Sequence, residues 1–189
     1  MPKYKTIVVD PPWPIKIGPD MTRVLQGSSL KDELEYQTMT EEEIKEFPIN
    51  DFAEDDSIIF LWCTNSKLTN GRPCLQVGFE VLERWNFKFR TLLIWQKNSG
   101  YAIWQPFRGI TEFILFGTRT HNIPPYGKYS NLFNWPNRRH SEKPAGFYQM
   151  LRSWSPKPRI DIFARNAHVG FEGWGNEYVG DGPLQEFLE

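Results

Sequence analysis

The chain lacks any run of about 18 consecutive apolar residues, the length a helix needs to cross a bilayer. No membrane span is expected from it. It has only two cysteines, Cys63 and Cys74, and three scattered histidines, His121, His140 and His168. These residues form no metal-ligand spacing, so no metal is expected. Both cysteines sit among apolar neighbours, which suits buried thiols in a reducing compartment better than a disulfide. The chain also lacks G-x-x-x-x-G-K-S/T and G-x-G-x-x-G, which disfavours a P-loop nucleotidase or a simple dinucleotide enzyme. No serine or cysteine stands in a nucleophile-elbow pattern. Met1-Pro2-Lys3-Tyr4-Lys5 leads into an apolar stretch without a signal-peptide region, so a cytoplasmic location is expected.

What is present is apolar enough to fold and unusually aromatic. Hydrophobic residues make up 40% of the 189, aromatics 15%, and eight are Trp. That length suits a single domain over residues 1–189. The net charge of −1 hides an asymmetry. Residues 1–83 carry 8 basic and 15 acidic side chains, residues 84–165 carry 14 and 3, and residues 166–189 carry none and 5. A basic excess of that size is a footprint for a polyanion, or else a solvated basic face.

Apolar runs at residues 5–10, 57–62, 90–95, 112–116 and 159–163 read as buried strands. Thr40-Glu41-Glu42-Glu43 is a capping box opening a short helix that ends near Phe47-Pro48. A second helix is predicted within 66–78, where Gly71 and Pro73 work against it. Ser141-Glu142-Lys143-Pro144 is expected to cap a third, with Phe147, Met150 and Leu151 at helical spacing. Continuous apolar strands alternating with helices predict an α/β fold: a mostly parallel twisted sheet with helices on both faces. Ligands bind such sheets beyond the carboxyl ends of the strands. Asp10, Cys63-Thr64, Gln96-Lys97, Gly117-Thr118 and Ala164-Arg165 are expected at those ends. Residues 14–35, 98–110 and 119–142 are long loops, and the tail after Gly170 reads as loop.

Asp10-Pro11-Pro12-Trp13 ends the first strand. An ionised carboxylate only accepts hydrogen bonds. Prolines fix the backbone and carry no N–H, leaving nearby carbonyls as further acceptors. Trp13 offers a face for stacking. The set describes a grip for the two protons of an amino group on a flat ring. A bare Asp-Pro-Pro reads first as a turn with an exposed carboxylate; the added Trp13 and the rest of the chain turn the reading to the grip.

Eight segments in order resemble the MT-A (MT-A seventy-like) family of S-adenosylmethionine-dependent N6-adenine methyltransferases. They are Asp10-Pro11-Pro12-Trp13, Tyr36-x-Thr38-Met39, Leu61-Trp62-x-Thr64, Leu93-Ile94-Trp95-x-Lys97, Glu112 before Phe113-Ile114-Leu115-Phe116-Gly117, His140-Ser141-x-Lys143-Pro144, Ile162-Phe163-Ala164-Arg165 and Trp174-Gly175-Asn176-Glu177. The resemblance covers nearly the whole chain. It implies a Rossmann-like methyltransferase fold with the permuted, beta-type motif order, the catalytic motif preceding the cofactor motif. Asp10 and the Pro11 carbonyl would hold the adenine amino group, aiming its lone pair at the methyl donor. Pro12 belongs to the same motif. Trp13 and Tyr36 would wall the base pocket, with Trp95 a further wall or a core residue. Lys143, Asp161, Phe163, Arg165, Asn166, His168, Asn176 and Glu177 would serve S-adenosylmethionine. Lys143 would lie at its carboxylate, and Arg165, Asn176 and Glu177 at its ribose. Longer family members have a segment before the first strand that contributes to the adenine end of the cofactor site; here only nine residues precede Asp10.

Chemistry on a duplex base requires flipping it out. The loops supply Lys16, Arg23, Lys31, Arg108, Lys128, Arg138 and Arg139, interleaved with Tyr101, Trp104, Phe107, Tyr126 and Trp135. Cations for phosphates beside aromatic faces for bases suit a single strand or a flipped base. The expected substrate is DNA, in a prokaryotic or phage setting, acted on by a monomer or a dimer with a like subunit. RNA is the alternative, followed by an inactive partner subunit and an N4-cytosine methyltransferase.

Overall fold

The computed structural model describes residues 2–15, 37–98, 107, 109–121, 129–136, 142–175 and 178. Among them the elements run β1 (Tyr4–Val9), α1 (Glu41–Glu46), α2 (Ile49–Phe52), β2 (Ala53–Thr64), α3 (Cys74–Arg84), β3 (Lys88–Gln96), β4 (Thr111–Thr118), β5 (Leu132–Phe133), α4 (Ala145–Trp154), β6 (Arg159–Ile162) and β7 (Glu172–Trp174). The strands form one seven-stranded sheet in the order β5-β3-β4-β2-β1-β6-β7. No helix among the described residues is long and apolar enough to cross a membrane.

The α/β sheet covered on both faces is as the sequence predicts. Period-2 alternation divides the core. Ile7, Val9, Ile59, Leu61 and Leu115 pack on the face carrying α1, α2 and α3. Val8, Ile58, Phe60, Trp62, Ile114 and Phe116 pack on the other, under Phe147, Met150 and Leu151 of α4. α3 presents Cys74, Val77, Gly78, Val81 and Leu82, an i, i+3, i+4, i+7, i+8 stripe. A Cβ on Gly78 would stand 2.5 Å from Cys63 Sγ, so glycine lets the helix lie close on β2. Both cysteines are free and buried.

The differences have local causes. α3 starts at Cys74 rather than near residue 66 because Pro73, in extended backbone, is its N-cap. α4 starts after Pro144, with no side-chain cap. β5 and β7 have two and three residues, too few to show a strand period. The capping box at α1 forms as read: the Glu43 N–H donates to Thr40 Oγ1 and the Thr40 N–H to Glu43 Oε2.

One strand runs against the rest. β1 pairs parallel with β2 and β6, β6 with β7, and β3 with β5, but β4 is antiparallel to both β2 and β3. The carboxyl end of β4 therefore lies at the opposite edge from those of the other strands. Gly117-Thr118 is not at the ligand edge, contrary to the sequence reading. The start of β4 is there instead, because Glu112 pairs with Thr64 of β2 and Trp95 of β3.

Candidate active site

β1 is flanked by β2 and β6 and delivers Asp10 to the ligand edge, where the Asp10 N–H donates to the Ile162 carbonyl at 3.3 Å. Lys143, just before α4, reaches back over the same edge. Its Nζ lies 3.0 Å from Asp10 Oδ2 and 3.1 Å from Glu112 Oε2. Lys97, just past β3, forms an ion pair with the other Glu112 oxygen. The result is a row of alternating charges, Asp10, Lys143, Glu112 and Lys97, drawn from four segments.

Two tryptophans floor that row. Lys143 Nζ sits 4.9 Å from the centre of the Trp62 ring, and Lys97 Nζ 5.4 Å from that of Trp95. The two indoles meet edge to face, 6.0 Å apart at 87°. Each cation–π contact contributes roughly 0.5–2 kcal/mol.

Burial pushes the Asp10 carboxyl above the usual carboxylate range, Lys143 pulls it down, and Glu112 pushes it up. The 31% of its side chain left open to solvent limits that rise. Burial also acts upward on Glu112, but Lys143 and Lys97 outweigh it and hold that carboxyl at about 2. Lys143 loses hydration on burial, yet Asp10 and Glu112 keep its ammonium charged and raise its pKa. The row thus sets a carboxyl whose charge burial disfavours beside an amine whose charge its two carboxylate neighbours favour.

Beside it lies a second buried group. Asp161 on β6 accepts a hydrogen bond from the Tyr148 hydroxyl at 2.8 Å. His168 stacks on Tyr148, ring centres 3.4 Å apart, with Nε2 3.8 Å from Asp161 Oδ2. Burial pushes Asp161 up to about 8 despite the Tyr148 bond, and burial pulls His168 down to about 4. A neutral imidazole thus faces a carboxyl that is largely protonated at pH 7, so the two form no salt bridge there. A raised carboxyl pKa contributes stability that is present below the unfolded value near 3.9 and lost as pH rises through about 8. Asp161→Asn should flatten that decline, which reaches about 1.4 kcal/mol per pH unit. Urea unfolding of both proteins at pH 5 and pH 8.5 checks it; parallel losses would sink the assignment.

Several sequence expectations change. Trp13 is not an open stacking face: it is 3% exposed, lies in the core, and its Nε1–H donates to the Trp62 carbonyl at 2.9 Å. Trp95 is likewise a core residue, 3% exposed, with its Nε1–H on the Trp135 carbonyl at 2.9 Å. Each indole thus has the buried partner that its N–H needs, and Trp95 takes the core position that the sequence also allows. The proline carbonyls are not free. Pro11 accepts from the Trp13 N–H at 2.8 Å and Pro12 from the Met39 N–H at 3.0 Å, leaving each a second lone pair. Phe163 is half-buried with φ of 63°, a left-handed turn at the end of β6. Arg165 is half-buried and adds a weaker pull on Asp10, while Asn166 is exposed. Glu112, Lys97 and Trp62 also stand in the row, although in the sequence they are only landmarks of the resemblance. Lys16, Tyr36, Tyr101, Arg108, Arg138, Arg139, Asn176 and Glu177 lie outside the described residues.

The MT-A70 family profile matches residues 4–177. The chain belongs to the MT-A70 family. Its Rossmann-like methyltransferase fold and its place among adenine-N6 methyltransferases follow from that membership and from its relatives. It is similar to the type II methyltransferase M.MunI of Mycoplasma sp, 28% identical over 193 residues, 93% of this chain and 78% of that one. A probable MT-A70-like N6-adenosine methyltransferase of Oryza sativa subsp. japonica is 28% identical over 98% of this chain and 24% of its own. The N6-adenine-specific methyltransferase METTL4 of Mus musculus is 26% identical over 93% of this chain and 38% of its own. The chain thus spans most of the mycoplasma relative but less than two-fifths of the other two.

Proposed function

We propose that this chain, acting as one methyltransferase domain over residues 1–189, methylates the exocyclic N6 amino group of adenine in DNA. The observation that carries the reading is the Asp10 carboxylate, partly open at the sheet edge and joined to Lys143 at 3.0 Å. The charged row suits S-adenosylmethionine. Its amino-acid end carries one carboxylate and one ammonium, and the row offers a buried lysine between two carboxylates. Lys143 would take the carboxylate, with Asp161, Phe163, Arg165 and His168 on the same flank. When bound, that cofactor supplies a methyl group on a sulfonium. The protein's own part is orientation. Asp10 would accept a hydrogen bond from one N–H of the amine and the second lone pair of the Pro11 carbonyl one from the other, and the amine would lose its proton only after methylation. A nitrogen so held is pyramidal and keeps its lone pair free, so no strong base is needed beforehand.

DNA is favoured by the mycoplasma type II methyltransferase, which this chain matches over 78% of its length, against about a quarter for the rice relative named for adenosine. Labelled methyl transfer to single- and double-stranded DNA and RNA oligonucleotides, followed by nucleoside analysis, tests the reading. N6-methyldeoxyadenosine should exceed any RNA product at least tenfold. Equal transfer to RNA would sink the DNA assignment, and N4-methylcytosine would sink the adenine one. Cofactor binding without transfer would make the chain an inactive partner subunit.

A further inference from the structure

The catalytic turn is held from outside by two backbone donors. Pro12 accepts the Met39 N–H at 3.0 Å, and Pro14 accepts the Thr69 N–H at 2.8 Å. Ile15 continues the second contact through an antiparallel bridge to Leu68. Pro11, Pro12 and Pro14 have no N–H of their own, so their carbonyls are the backbone handles by which neighbours can fix this stretch. The two donors come from segments far apart in the chain. Met39 lies just before Thr40, the N-cap of α1. Thr69 lies in the tight turn after β2, where the Leu68 N–H donates to the Arg72 carbonyl at 2.9 Å and Gly71 has φ of 86°.

Glu41, the first residue of α1, joins those segments. It is 5% exposed. Its Oε1 accepts from Lys45 Nζ at 2.6 Å and from the Arg72 guanidinium, and its Oε2 from Asn70 Nδ2 at 3.1 Å. The Asn70 side chain in turn accepts the Arg72 N–H at 3.0 Å. Glu80 of α3 closes the ring by accepting from Lys45 at 3.0 Å and from Arg72. A buried carboxylate is costly unless such donors compensate it, and apolar residues of similar volume usually stabilise as well or better. Stability alone does not account for a charge buried here. Geometry does, because the charge ties the 68–72 turn to the start of α1.

We propose that Glu41 is a positioning residue for methyl transfer: by clamping the 68–72 turn to α1 it fixes the two N–H donors that hold Pro12 and Pro14, and through them the aim of Asp10. This role rests on the function proposed above. It acts on the backbone, from the opposite side of the sheet to Lys143 and Glu112. Positional tolerance at a reacting centre is small, a misplacement of about 1 Å costing on the order of a hundredfold in rate.

The test pairs Glu41→Gln with Arg72→Met, which breaks the same clamp from its solvent side. In the cofactor-free proteins, amide exchange at Met39 and Thr69 should rise at least tenfold, with Ile59 and Leu61 of β2 unchanged. In turnover, kcat should fall about tenfold or more while KM for the cofactor and for the oligonucleotide stays within about threefold. The double variant should be no slower than the worse single one, since both break one device. Unchanged exchange at Met39 and Thr69, or kcat within twofold of wild type, overturns the clamp. Wild-type protein that methylates no adenine substrate overturns the function instead, and the exchange data still decide whether the clamp exists.

Discussion

Replacing Asp10 by alanine should cost at least about a thousandfold in methyl transfer and leave the fold in place. Orientation of a bound nucleophile can supply roughly 7–11 kcal/mol of a barrier, and the carboxylate is the main part of that grip in the proposed site. The fold should survive because Asp10 is a partly open end of β1, while the strand itself is held by Tyr4, Ile7, Val8 and Val9, each 0% exposed. Lys143 also keeps Glu112 as a partner 3.1 Å away, so the change strands no buried cation. Asp10→Asn is the sharper variant. It preserves shape and one acceptor but turns an NH2 group toward an amine that must donate, setting donor against donor. Thermal unfolding, cofactor affinity and single-turnover methylation together check the claim. Turnover within tenfold of wild type for either variant would remove Asp10 from the chemistry, and a collapsed fold would make it structural.

The clearest sequence signals were those with a local physical cause. A carboxylate and two prolines at the end of an apolar run had to end a strand, and Asp10 does. Thr40 and Glu43 form their capping box because its geometry is internal to four residues. Glu112 is not legible in the sequence as a site residue, because its place depends on strand direction. An apolar run has the same period whichever way it points. Once β4 lies antiparallel between β2 and β3, Glu112 stands beside Trp95 and Thr64 at the ligand edge, and Lys143 has a second carboxylate. The burial of Trp13 and Trp95 is not legible in the sequence for a related reason. Composition says that an indole wants a partner for its N–H, but the partners are backbone carbonyls of Trp62 and Trp135, each at least 40 residues away. The clamp at Glu41 was invisible for the same cause: Asn70, Arg72 and Glu80 meet it only across the fold.

Replacing Lys143 by methionine should produce the second large effect, and its sign with pH separates electrostatics from packing. The substitution keeps most of the buried stem but leaves Asp10 and Glu112 facing each other without the cation that lay 3.0 and 3.1 Å from them. Removing one partner of a fully buried pair costs about 3–5 kcal/mol. With 31% of the Asp10 side chain open, the loss here should be nearer 2 kcal/mol. Cofactor affinity should fall at least about tenfold, because the carboxylate of the donor loses its proposed counter-charge. Lys143 pulls the Asp10 pKa down and Glu112 pushes it up. Lys143→Met therefore raises that pKa further, and the acid limb of the rate profile moves to higher pH. Glu112→Gln acts in the opposite sense: it removes the repulsion and leaves Lys143 to Asp10 alone, so the limb moves to lower pH. The double variant removes the Glu112 repulsion from an Asp10 that has lost Lys143 and should recover part of the stability lost with Lys143→Met, a coupling that a double-mutant cycle measures directly. Shifts of the same sign in the two single variants, or a double variant no more stable than Lys143→Met, would mean that the charged row does not set the state of Asp10.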